Sequence, residues 1–361
     1  MNLASYAKAA VRAAGRAYLL DRYVRSAERS NRVRACSFDG ASRIKGSYVV
    51  STEKGVFLIR DGRLAQIFPH RTYGIALHDD VLYLSSVRGA HNSLFKARLP
   101  VSLDRLAPGT RLRFREIFHL EAPINERIHQ ICVHREHLTV SKTSENAIAL
   151  IGLASDQEEL VVRPFVDRFG ESVGGDHNHV NSVFSCGEVL LFGAYRAGGH
   201  ALIGAYQDGR IVGYQARNKG LHGVYVSGRD LYYGDTFGSE GKGYLIVNQG
   251  RFDEEYFRAG EGFCVRGVCR SGGEMLIGHS HKGPRAKRFE GPACLLVCRG
   301  EHVTECIEMP FAAIYDIMST DGKYFEQGPA VTTWDEVNRL LTSVLGDPIY
   351  EHAIPGESSG E

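Results

Sequence analysis

Between about residue 35 and residue 330, apolar and aromatic runs of four to seven residues alternate with Gly, Asp, Asn and Ser turns. That pattern predicts β-strands throughout the middle of the chain. The strands recur as a unit. Tyr73–Ser86, His129–Lys142, Asn181–Ala194, His222–Asp235 and Arg266–His279 each hold a β-rich run, a polar turn and a second apolar run. The second runs read VLYLSS, HLTVSK, VLLFGA, DLYYGD and EMLIGH. Aligned on Leu82, Leu138, Leu190, Leu231 and Met275, the units are spaced 56, 52, 41 and 44 residues apart, around the length of a four-stranded propeller blade. Two further strands follow in each unit, as in SLFKARL then RFREIFHL, or HALIGAYQD then RIVGYQAR.

A preceding unit, YVVST, GVFLIRD and RLAQIFP in residues 48–69, brings the number to six. AIYDIMS (Ala313–Ser319) has the look of an inner strand without a blade of its own. It is expected to complete the first unit and close the ring, which removes exposed sheet edges. The fold class predicted is therefore all-β: a single six-bladed β-propeller over residues 35–330, with a seventh blade or an open sandwich as the alternatives. Residues 1–34 carry eight basic residues, Lys8, Arg12, Arg16, Arg22, Arg25, Arg29, Arg32 and Arg34, against Asp21 and Glu28. They read as a basic amphipathic helix, packed on the body or touching anionic lipid or a partner. In residues 331–361, Thr332–Thr333 precede Trp334, Val337, Leu340, Leu341 and Val344 at helical spacing, before Gly346 and Pro348. A short C-terminal helix follows, then a polar tail from Pro355 expected to be disordered.

The 361 residues are 43% apolar and 24% charged, with a net charge of +1. This composition describes a globular chain, and the even charge argues against a nucleic-acid partner. No apolar stretch approaches the roughly 20 residues of a membrane span, and the N-terminus lacks a signal-peptide core, so a cytoplasmic, or peripherally membrane-bound, location is expected. The eight cysteines show no C-x-x-C spacing and read as reduced, mostly buried small hydrophobes.

The repeat aligns chemistry. Strands that run up and down send the start of the inner strand and the end of the second strand to the same face. The residue opening the inner strand is Tyr73, His129, Asn181, His222 and Arg266 in turn, so these should ring one mouth of the central channel. His177 and His179 alternate with Asn181 onto the same side of one extended segment. Ends of second strands and the loops beyond them add Arg88, Lys142, Arg196, Asp235, His279, His281, Lys282 and Arg285 to that face. Arg266 and Arg196 could instead pair with Asp316 or Asp235. By contrast His70, His78, His119, His134, His137, His200 and His302 read as ordinary hydrogen-bonded residues.

Two chemistries fit the ring. In the first, His129, His179, His222, Asn181 and Arg266 act on a small anionic or glycan-like substrate by histidine acid/base or nucleophilic chemistry. Tyr73, Arg88, Lys142, Arg196, Asp235, Lys282 and Arg285 would bind that substrate. In the second, His129, His179, His222 and His279, or His177 or His281, hold a divalent transition metal, Fe, Mn, Cu or Zn, as in an oxygenase. A non-catalytic interaction module is the third reading. No P-loop, dinucleotide-binding glycine pattern or G-x-S-x-G elbow occurs.

His179-Val180-Asn181-Ser182-Val183 resembles the H-x-N-S-[V/I] segment of bacterial arylsulfotransferases, six-bladed propellers with catalytic His and Arg in the channel. The likeness implies the fold and a His/Arg channel. Sulfotransferase activity is not carried over, since no second motif matches. Gly262–Pro292 is similar to a group of uncharacterised bacterial β-propeller proteins, which again implies the fold and no activity. A metal held by one imidazole from each of several blades resembles the carotenoid cleavage oxygenases in architecture alone.

Overall fold

The computed structural model describes Arg25, Glu28 and residues 31–88, 91–121, 128–165, 177–195, 200–218, 220–236, 243–254, 256, 263–281 and 291–353. Six blades, each built on at least four antiparallel strands, surround a central channel. Their inner strands are Thr72–His78, Ile128–His134, Val180–Cys186, Leu221–Ser227, Phe263–Ser271 and Ile314–Ser319, which define blades one to six.

Ring closure occurs as the repeat predicts. Ile314–Ser319 pairs antiparallel with Tyr48–Thr52, setting Asp316 opposite Ser51 and Ile317 opposite Val50. Blade six thus takes its inner strand from the C-terminal part of the chain and its other strands from the N-terminal part. Gly55–Arg60, Arg63–Phe68 and an outermost Arg34–Cys36 complete it. The closing strand covers the edge of Tyr48–Thr52 that would otherwise be unpaired.

In the hairpin that leads from inner to second strand, the turn needs a left-handed residue, and the sequence supplies Asp79 (φ +52°), Arg135 (+52°), Gly187 (+62°), Gly228 (+59°) and Gly272 (+63°). Between blades the sheets pack face to face. Blades six and one meet through Phe68, which lies edge-on to Phe114 at 4.7 Å and near Phe95 at 5.6 Å, all three buried. Each such ring contributes about 1.5–3 kcal/mol of burial.

After blade six the chain crosses one end of the propeller. Gly228 N donates to Gly328 O and Arg270 N to Tyr324 O, which ties this segment to the ends of two inner strands. Trp334–Leu345 then forms the expected helix, opened by a capping box between Thr333 and Glu336. It packs Trp334, Val337, Leu340 and Leu341 inward. One element escaped the sequence reading: Tyr350–Ala353 joins blade three as a fifth, outermost strand, pairing with Arg210–Gly213. The basic segment 1–34 lies mostly outside the described residues. Within it, Asn31–Arg32 is a strand paired with Arg111–Leu112, and Arg34 begins the outer strand of blade six. The tail from Pro355 is outside them too. Among the described residues no helix is long and apolar enough to cross a membrane.

Candidate functional site

Every inner strand breaks its register near its start. The irregularity falls between Thr72 and Gly74, Ile128 and Ile131, Val180 and Ser182, His222 and Val224, Val265 and Val268, and Ile314 and Asp316. A β-bulge leaves the extra residue unpaired and re-aims its side chain. Here the skipped residues are Tyr73, His129 with Gln130, Asn181, Gly223, Arg266 with Gly267, and Tyr315. All of them line one pocket at the channel mouth, together with His222 and Tyr225.

Opposite each bulge the second strand carries a small residue: Ser51, Ser85, Ser141, Gly193, Gly234 and Gly278. The bulges explain the choice. A Cβ on Gly278 would lie 2.1 Å from the Arg266 carbonyl oxygen, and one on Gly234 would lie 2.8 Å from that of His222. The serines instead satisfy the bulged backbone. Ser51 donates to the Tyr73 carbonyl at 3.0 Å, Ser85 to that of His129 at 3.1 Å and Ser141 to that of Gln130 at 3.0 Å.

Around the mouth the side chains form a ring of contacts. Tyr315 stacks on Tyr73 with centroids 4.2 Å apart, and Tyr73 meets His129 at 5.1 Å. His129 lies 5.5 Å from His179 and 6.0 Å from His222. Tyr195 bridges His179 and His222 at 5.5 and 5.6 Å. Arg266 closes the circle, with Nη2 2.9 Å from His222 Nε2 and its guanidinium carbon 5.7 Å from the Tyr315 ring centre. His179 reaches the ring from a left-handed backbone, φ +58°, a conformation that histidine enters more readily than most residues.

The hydrogen bonds fix the state of His222. A guanidinium only donates, so Nε2 must accept, and the ring is neutral with its proton on Nδ1. That proton goes to Thr236 Oγ1, 2.7 Å away. Arg266 is sunk among protein atoms but keeps part of its surface open to the pocket. Its Nε is buried without a partner, and no carboxylate forms an ion pair with it among the described residues. Tyr315 likewise holds a buried hydroxyl with no partner. Burial, then the nearby Tyr73 phenol, keep Tyr315 protonated well above its ordinary value.

Of the residues singled out in the sequence, Tyr73, His129, Asn181, His222 and Arg266 line the mouth, and His179 joins them through His129. Asn181 acts on the backbone: its Nδ2 donates to the Leu221 carbonyl at 2.7 Å and its Oδ1 accepts from Ser182 at 2.7 Å. Lys142, Asp235 and His279 do not line this pocket. Lys142 and Asp235 end their second strands and His279 lies two residues before the end of its own, each one strand spacing of about 4.8 Å further from the axis than the inner strand. Lys142 is bound by Glu145 at 2.8 Å and Glu158 at 3.1 Å. His279 is buried, and that burial alone pulls its imidazole down to about 3. It is absent from the lining that holds His129 and His222, two of the imidazoles with which the metal reading grouped it. Among the described residues no three His, Cys, Asp or Glu side chains gather as metal ligands. His177 is exposed. Arg196, Lys282 and Arg285 lie outside the described residues, as do the side chains of Arg88 and His281.

Asp316 does not pair with Arg266. It accepts from Tyr324 Oη at 3.0 Å and from Ile317 N at 3.0 Å, and burial lifts its carboxyl to about 7. Tyr324 lies against Tyr225 with ring centres 5.0 Å apart, Tyr225 lining the mouth and Tyr324 a second cavity. This second cavity, of about 310 Å³, is lined by apolar residues such as Ala76, Val133, Phe184 and Phe325 and by none of the sequence-predicted ones. Of the histidines expected to be ordinary, His134 pairs with Ser185 at 3.0 Å, His137 with Glu159 at 3.0 Å and His119 with Ser93 at 3.2 Å. Sequence reasoning missed Tyr315, Gln130, Tyr225 and Thr236. Tyr315 was within reach, because AIYDIMS aligned with the other inner strands places it in the register of Tyr73.

No protein-family model matches the chain, and no curated protein sequence does. Solved structures match in fold. A chain of a nidogen/laminin complex aligns over 77% of this chain and 99% of its own length, with a TM-score of 0.51 and 11% identity. The β-propeller domain of Cps50 (Swd1) from Myceliophteria thermophila covers 81% of this chain and 93% of its own, at a TM-score of 0.41 and 11% identity. BamB from Moraxella catarrhalis covers 81% and 95%, at a TM-score of 0.38 and 10% identity. These likenesses concern the propeller fold. They lend nothing to the arylsulfotransferase likeness of His179–Val183.

Proposed function

We propose that the channel mouth binds, and acts on, a small anionic molecule. The observation that carries this reading is Arg266, a guanidinium always charged at physiological pH, sunk in the mouth without a carboxylate partner among the described residues and with its Nε unsatisfied. An uncompensated charge removed from water is expensive. A carboxylate, phosphate or sulfate supplies the missing counter-charge through charge-assisted, bidentate hydrogen bonds.

In this reading Arg266 anchors the anion and Tyr315 donates a hydroxyl to it. His222 is a positioning residue, since its two nitrogens serve Thr236 and Arg266. His129 faces the same pocket between Tyr73 and His222 and is the acid/base candidate, an imidazole being able to give and take a proton near neutral pH. The cavity volume is about 20 Å³, room for little more than a water-sized group, which favours the charged end of a small anion over an extended glycan.

The test is calorimetry with phosphate, sulfate and short carboxylates on the wild-type chain and on Arg266→Gln. At least one anion should bind the wild type, with an affinity reduced tenfold or more in the variant. Absence of binding by all three classes, or equal binding to both proteins, overturns the reading.

A further inference from the structure

The outer edge of blade five holds a second reactive arrangement, far from the channel in the strand order. Its two outer strands, Cys294–Arg299 and His302–Glu308, pair with Cys294 opposite Glu308 and Leu296 opposite Cys306. Residues two apart on a strand share a face. Cys294 and Cys306 are therefore diagonal neighbours on one side of the sheet.

Their thiols touch. The Cys294 thiol donates a hydrogen bond to the Cys306 sulfur, and the Tyr256 hydroxyl donates a second. Cys306 is exposed and Cys294 half-buried, whereas Cys132, Cys186, Cys264, Cys269 and Cys298 are buried. The strand that carries Cys306 is the outermost of its blade, and its register already slips between Val297 and Cys298, so it can yield the small approach that an S–S bond requires. The Cys294 bond, more than that of Tyr256 and the charge of Arg43, pulls Cys306 down to about 6, while the same bond pushes Cys294 up. An accessible sulfur beside a second, less exposed thiol is the arrangement that oxidation-sensing cysteines share.

We propose that Cys306 and Cys294 form a redox-active dithiol, in which Cys306 is oxidised first by hydrogen peroxide and Cys294 resolves it to a disulfide. The Cys306 thiolate attacks one peroxide oxygen: an S–O bond forms, the O–O bond breaks, and the leaving hydroxide takes a proton to become water. The resulting sulfenic acid is attacked by Cys294 sulfur as the thiol gives up its proton. The S–S bond forms, the S–O bond breaks, and a second water leaves. Two thiols lose two electrons in all, and one peroxide is reduced to two waters.

The reduced full-length chain is treated with one equivalent of hydrogen peroxide, alkylated and mapped by mass spectrometry. The Cys294–Cys306 disulfide should be the main product, with the five buried thiols unmodified. In Cys294→Ser, Cys306 should be trapped by dimedone as sulfenic acid. Iodoacetamide labelling of Cys306 in the wild type should show a rate midpoint near pH 6, against above pH 8 for an ordinary thiol. Oxidation spread evenly over the cysteines, or a Cys306 labelling midpoint above pH 8, overturns the proposal. Both of these readouts come from the wild-type chain and hold whether or not a variant folds.

Discussion

Arg266 donates from Nη2 to His222 Nε2 across 2.9 Å, and that one hydrogen bond ties the cation of the channel mouth to a neutral imidazole instead of a carboxylate. Positive charge is thereby held in place without being cancelled. Removing it should cost the free protein little. Arg266→Gln keeps a donor for His222 and eliminates the uncompensated charge, so urea unfolding should show stability equal to or up to about 2 kcal/mol above wild type. A loss of more than about 1 kcal/mol would mean that Arg266 is structural.

The Nδ1 tautomer of His222 depends on Thr236. Thr236→Val removes the acceptor while keeping the shape, at a hydrogen-bond cost of about 0.5–1.5 kcal/mol. Two-bond ¹H–¹⁵N spectra should show a single Nδ1–H tautomer in the wild type and a mixture in the variant, with anion affinity reduced about 2- to 12-fold. A single Nε2–H tautomer in the wild type would contradict the assignment.

Tyr315 offers a hydroxyl that nothing in the described protein accepts. Tyr315→Phe should leave the thermal midpoint unchanged or slightly raised, because no hydrogen bond is broken. Anion binding should nevertheless weaken by roughly 5-fold, about 1 kcal/mol. Unchanged binding would remove Tyr315 from the site.

Asp316 gives the fold a pH dependence. Its carboxyl sits at about 7 in the folded chain against an ordinary value of 3.8, chiefly through burial. The folded state therefore holds a proton that the unfolded state releases between these values. Stability from this group is fully present below about pH 4 and is lost as pH rises through 7. Relative to Asp316→Asn, the wild type should lose up to roughly 4 kcal/mol between pH 4 and pH 7. Parallel stability curves for the two proteins would show that Asp316 does not titrate in this window.

Gly278 tests the geometry of the bulges. A Cβ there lies 2.1 Å from the Arg266 carbonyl oxygen, a backbone atom that cannot swing aside. Gly278→Ala should destabilise by about 1–3 kcal/mol and weaken anion binding by displacing the bulge. Gly328→Ala, with no atom within 4 Å of the added carbon, is the control and should be close to neutral. Equal effects in the two variants would discount the steric account.

The chain itself determined the propeller and much of the ring. Blade count, closure by Ala313–Ser319 and the C-terminal helix follow from local periodicity and capping, which act over a few residues and recur in each unit. Tyr73, His129, His222 and Arg266 were legible because the repeat placed them in one register, and a shared register in a closed ring means a shared mouth. The small residues Ser51, Ser85, Ser141, Gly193, Gly234 and Gly278 were in the sequence too, but their meaning needed the bulge that each faces.

Tertiary structure alone decided which polar residues remain in the site. Lys142 and His279 share the face of the ring in sequence logic, yet they sit one strand out from it, Lys142 bound by Glu145 and Glu158 of its own blade and His279 buried. The turn of Asp316 toward Tyr324 instead of Arg266, the tautomer of His222 and the contact of Cys294 with Cys306 are likewise invisible in the order of residues. Periodicity reports which way a side chain leaves its own strand. What it meets there depends on how neighbouring blades pack, a distance of a few ångströms that the linear pattern does not encode.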